Sequence, residues 1–72
     1  MNISSKIGEL VVAFDPYNGE DAKYLVMDDQ SYFTLKEEVY GSVEAAISEE
    51  IEEYAGLKVF HNNVGYTLVD VA

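Results

Sequence analysis

Cysteine and arginine are both absent from this 72-residue chain, and proline and histidine each occur once. Without cysteine there is no disulfide framework and no thiolate metal site, so a small core must hold the fold without covalent help. That favours a cytoplasmic setting. No window approaches the ~20 apolar residues of a membrane span, and the start "MNISSKIGEL" has no basic region followed by a long apolar run. The chain reads as soluble and unprocessed. With no arginine, four lysines face fourteen acids, for a net charge of −10 and a pI near 4.1. DNA, RNA and anionic membranes need counterion-releasing cations on the protein, so direct binding to any of them is excluded. A basic partner is the natural complement. The plainer alternative is charge that only keeps a small protein soluble.

What is present suits a globular domain: 49% of residues are apolar, including six tyrosines and three phenylalanines. Residues 1–72 form one domain, of a size at which folding buries only about 60% of the surface the unfolded chain exposes. "IGELVVAF" (7–14) alternates with Leu10, Val12 and Phe14 on one face, which predicts a strand. "DPYNGED" (15–21) reads as a hairpin loop with Asn18-Gly19 at its tip, and "AKYLVMD" (22–28) as the returning strand. "YFTLKEEVYG" (32–41) has two readings. Phe33, Leu35 and Val39 share a face as a third strand, or Thr34 and Glu37 form a capping box that opens a short helix. The strand is preferred, because Val39-Tyr40 before Gly41 looks extended.

Ser42 is a good N-cap for "VEAAISEEIEEYA", with Gly56 at the C′ position. Val43, Ile47, Ile51 and Tyr54 fall on one core-facing stripe of that helix. "LKVF" and "VGYTLVDVA", bracketing "HNN", read as the last two strands. The expected class is α+β: a small antiparallel sheet with one helix packed on one face, in the order β-β-(β)-α-β-β. One helix leaves the other face open. Tyr17, Tyr24, Tyr32, Tyr40 and Tyr66 make that face a candidate contact surface, although a buried tyrosine with a satisfied hydroxyl is commoner.

No catalytic constellation is legible. His61 sits in an expected turn beside Asn62 and Asn63, and none of Ser4, Ser5, Ser31, Ser42 or Ser48 lies in a nucleophile-elbow context. "DPYNGED" fails the calcium-loop spacing, since Tyr17 and Gly19 occupy ligand positions. Asp28-Asp29 and Glu37-Glu38 are paired acids of the kind usually just solvated. A non-enzymatic protein without metal or cofactor is expected.

"SEEIEEYAG" (48–56) carries Glu49, Glu50, Glu52 and Glu53 at the expected helix end, where the dipole disfavours anions. Like-charged pairs and the dipole together cost about 1 to 2 kcal/mol there. Glu49, Glu52 and Glu53 face outward on the wheel, and Glu50 borders the apolar stripe. A basic partner would offset that cost, since complementary potentials speed encounter and set register. Nucleic-acid mimicry is the sharpest form. A helix over 43–55 is about 20 Å long, and duplex DNA of that length carries about 12 charges. Asp28, Asp29, Glu37, Glu38, Glu20 and Asp21 would have to join the helix.

In size, acidity, lack of cysteine and sheet-plus-helix pattern, carried by "SVEAAISEEIEEYAG" and the pairs "ED", "DD" and "EE", the chain resembles the small acidic inhibitors encoded by bacteriophages. These include anti-CRISPR proteins, restriction inhibitors, uracil-DNA glycosylase inhibitors and polymerase inhibitors. The resemblance implies a host nucleic-acid-binding protein as partner, blocked at its DNA or RNA groove in the host cytoplasm. The expected contact set is Glu49, Glu52, Glu53, Asp28, Asp29, Glu37, Glu38, Tyr32 and Tyr40. The competing expectation is a structural or regulatory subunit that homodimerises through its sheet.

Overall fold

The computed structural model describes residues 2–72, and the side chains of these except residues 15–18. Its elements run α1 (Ile3–Asn18), β1 (Tyr24–Asp28), α2 (Asp29–Tyr40), α3 (Val43–Ser48), β2 (Glu53–Tyr54), β3 (Leu57–Asn62) and β4 (Val69–Val71). The class is α+β, with three helices where one was expected. The sheet order is β2-β3-β1-β4, and it is mixed. β1 runs parallel to β3, pairing Leu25 with Val59 and Met27 with His61, and antiparallel to β4.

The first expected strand is the helix α1. Ile3, Ile7, Leu10, Val11 and Phe14 recur at helical spacing and pack on the core, whereas Val12, assigned inward by the two-residue period, is 77% exposed. Of the hairpin loop expected over 15–21, residues 15–18 are the last turn of this helix and 19–21 follow it before β1; Tyr17's side chain lies outside the described ones. α1 is capped from two directions. Asn2 Oδ1 accepts from the Ser5 N–H at 2.7 Å, and the Glu38 carboxylate accepts from the Ile3 N–H at 2.8 Å and the Ser4 N–H at 3.2 Å. Three of the four orphan N–H groups of the helix start are thereby satisfied, with an anion at the positive end of the dipole.

The stretch read as a third strand is α2. Its N-cap is Asp28 and not Thr34, whose hydroxyl donates to Gln30 O within the helix. Gly41, at φ 77°, ends it in the left-handed conformation, donating to Glu37 O. Ser42 does cap α3, accepting from the Ala45 N–H at 3.1 Å. That helix stops at Ser48, however, and buries Ala46 where Val43 and Ile47 were expected; both of these are exposed. Gly56 is no helix C′ residue. Ala55 (φ 51°) and Gly56 (φ 79°) form the positive-φ turn of the β2–β3 hairpin, pairing Tyr54 with Leu57.

α1 and α2 pack on one face of the sheet, and α3 packs against α2. Leu25, Met27, Leu57 and Val71 meet Ile7 from α1 and Tyr32 and Leu35 from α2, with Ile51 closing the core. The other face is open, with Tyr24 (44% exposed) and Phe60 (46%) in ring contact at 5.7 Å. β1 is central, and its end is tied down by Asp28. That carboxylate is buried and accepts from the Ser31 N–H at 3.2 Å and, across the sheet, from the Leu68 N–H at 2.9 Å.

Hydrogen bonds from Ser31, its side chain first, and from the Leu68 N–H hold the Asp28 carboxyl below its ordinary range despite burial. At Glu38 burial pushes upward, but the bonds from Ile3 and Ser4 outweigh it, and the carboxyl again lies low. A depressed folded-state pKa stabilises above the unfolded carboxylate pKa of about 4 and is lost as pH falls through the folded value. Urea unfolding from pH 7 to 2 should therefore show an acid limb that Asp28→Asn and Glu38→Gln each flatten. Glu38→Ala should cost about 1 kcal/mol at pH 7.

Candidate functional site: an acid-lined cleft beside β3

One stripe of α2 builds this site. Tyr32, Lys36 and Tyr40 follow one another at four-residue spacing, which places them on one face of the helix. Each engages the chain after α3. Lys36 Nζ donates to Glu49 O at 3.0 Å, the Tyr40 hydroxyl donates to Glu50 O at 3.2 Å, and the Tyr32 hydroxyl accepts from the Ile51 N–H at 2.8 Å. Residues 49–51 are thus held largely by their backbone, which leaves the Glu49 side chain exposed. Helix α3 ends just before them, with Glu49 extended at φ −104°, ψ 153°. The cost expected from anions at a helix C-terminus is avoided, because the helix is not there.

Tyr32 is the hub. It is 4% exposed, its hydroxyl donates to Glu50 Oε2 at 2.8 Å, and its ring stacks on His61 with centroids 3.8 Å apart and planes 6° apart. Lys36 Nζ lies 4.8 Å from the centroid of the same ring. Burial first, then the neighbouring Glu50 carboxylate, pushes the Tyr32 phenol above its ordinary pKa, so it remains a neutral donor. His61 lies in β3 and not in a turn, and its Nδ1 meets Asp29 Oδ1 at 2.7 Å. Against a carboxylate Nδ1 is the donor.

Above this hub opens a cleft of about 580 Å³, lined by Tyr32, Glu50, Ile51, Glu52, Glu53, Lys58, Val59 and His61. Among the described residues no serine or threonine lines it. Three glutamates on its wall suit a cation. Among the described residues, His61–Asp29 is the one pair with a cationic nitrogen and a carboxylate within 4.0 Å. Among the described residues no lysine forms an ion pair with a cleft glutamate, although Lys58, directly across the hairpin from Glu53, lines the same cleft.

The expected contact residues divide accordingly. Glu52 and Glu53 line the cleft, and Glu49 is exposed beside it. Asp29 is exposed but engaged with His61. Asp28 is a correction, since a buried carboxylate bonded to two backbone N–H groups presents nothing to a partner. Tyr32 is a core residue and not part of the open sheet face, although it borders the cleft. Glu38 is turned to α1 as its cap, Glu37 is half-buried, and Tyr40 is an exposed strap. Glu50, Lys58 and His61 were missed. Extending the alternation of "LKVF" by one step, Leu57-Val59-His61, would have placed His61 on the inner face. No family model, curated protein or solved structure matches the chain.

Tyr32→Phe should destabilise the fold by about 1–3 kcal/mol in urea titration, because the buried Ile51 N–H loses its acceptor. Tyr40→Phe, at an exposed hydroxyl, should cost about 0.5 kcal/mol or less.

Proposed function

We propose that this protein is a non-enzymatic acidic binding protein that engages the basic, nucleic-acid-binding surface of another protein and so excludes DNA or RNA from it. The observation that carries this reading is that Glu50, Glu52 and Glu53 line one cleft, with Glu49 exposed alongside, and that among the described residues none of their carboxylates forms an ion pair with a lysine. Fixed carboxylates of one sign speed encounter with a cationic surface and set its register. The acids stand on an extended segment after a short helix, so any mimicry of nucleic acid rests on that segment and not on the spacing of a long helix. The resemblance to phage-encoded inhibitors favours a host DNA- or RNA-binding protein as target.

A second reading is self-association through the open sheet face, favoured by the exposed Tyr24 and Phe60 rings. Size-exclusion chromatography with light scattering separates the two, since this reading requires a stable oligomer insensitive to salt.

The test is capture from a bacterial lysate by the immobilised protein. Bound protein should be released by raising salt from about 0.05 to 0.5 M, over which screening shortens severalfold, and by adding duplex DNA. The triple reversal Glu49→Lys, Glu52→Lys, Glu53→Lys should fold normally by circular dichroism and capture nothing. Unchanged capture by that variant would remove the proposal.

A further inference from the structure

The cleft lies where a strand is missing. Lys58 donates its backbone N–H to Lys23 O at 2.9 Å, which turns Lys58, Phe60 and Asn62 toward β1. By strand alternation Leu57, Val59 and His61 turn their backbone groups to the opposite edge. There β2 pairs only Tyr54 with Leu57 and Glu53 with Lys58, and Glu52 O accepts from the Val59 N–H at 2.9 Å. The chain then leaves the sheet, drawn toward α2 by Lys36, Tyr40 and Tyr32. Among the described residues nothing hydrogen-bonds the backbone N–H or C=O of His61. β3 and the departing segment 50–53 thus form a fork, and the cleft is the space within it.

We infer that this fork receives an extended, lysine- or arginine-bearing segment of the partner as an added strand along β3. The inference rests on the binding role proposed above and specifies how it is achieved. Two independent features meet at this place. The unpaired His61 groups offer main-chain hydrogen bonds, the currency of strand addition. Glu50, Glu52 and Glu53 offer charge complementarity to side chains of the incoming strand, whose alternate residues face one side. A second copy of this chain is disfavoured as occupant, because its corresponding edge would bring the same carboxylates against these. An exposed edge otherwise invites unwanted pairing, and glutamates around it make the invitation selective for cations.

The test uses the unaltered protein and a short peptide alternating lysine and valine, with two analogues N-methylated either at its lysines or at its valines, and a glutamate–valine counterpart. N-methylation removes strand hydrogen bonds and keeps the charge. The parent peptide should bind, one methylated analogue should bind about tenfold more weakly than the other, as loss of edge bonds requires, and the glutamate peptide should not bind. Hydrogen exchange at the His61 amide should slow in the complex. Equal binding of both methylated analogues, or unaltered His61 exchange, would overturn strand addition while leaving the acidic-surface reading in place. Absence of any lysine–valine binding overturns strand addition as well. Failure of the broader reading would be seen separately, as capture that survives the triple charge reversal.

Discussion

The contact on which this architecture depends is the Tyr32 hydroxyl on the Ile51 backbone, 2.8 Å from N–H to phenol oxygen inside the core. It joins α2 to the only part of the chain that links the helical layer with the β2–β3 hairpin. Lys36 and Tyr40 extend the same join one residue at a time along Glu49 and Glu50. A buried backbone N–H without an acceptor is costly, so the phenol determines where the segment runs. Because the attachment is made mainly through backbone groups, the Glu49, Glu52 and Glu53 side chains are exposed, while the Glu50 carboxylate accepts from the Tyr32 hydroxyl.

The same attachment resolves an electrostatic difficulty. Four glutamates in five positions would burden a helix C-terminus, through the dipole and through repulsion one turn apart. In an extended chain neighbouring side chains diverge to opposite faces, and the acids separate. Two of the anions close to helix starts, Asp28 at α2 and Glu38 at α1, lie where the dipole favours them and have backbone donors as partners. Much of the negative charge thus divides into structural caps and a solvent-facing group around the cleft.

The α+β class, the strand at 22–28, the Ser42 cap and the apolar identity of Leu25, Met27 and Leu57 were legible because each rests on local rules of periodicity or capping. The helix α1 was legible too, from Ile3, Ile7, Leu10, Val11 and Phe14, but "LVVAF" satisfies a two-residue period equally well. Short apolar runs do not separate the two periods. The end of α3 was not legible. The propensity of "SEEIEEYA" is helical, and what overrides it is a set of hydrogen bonds from residues 10 to 19 positions earlier in the chain. Of the candidate site, Glu52 and Glu53 could be named from charge alone, whereas Glu50, Lys58 and His61 became visible only with the cleft.

By itself, then, the sequence determined the sign and excess of charge, the absence of covalent or thiolate chemistry, and the class of fold, since these follow from composition and local pattern. Tertiary structure decided which carboxylates are caps and which are free, that Tyr32 is core, and that β3 ends beside an open fork. Those distinctions depend on which groups meet across the fold, and a buried hydrogen bond between distant residues outweighs the local preference of either.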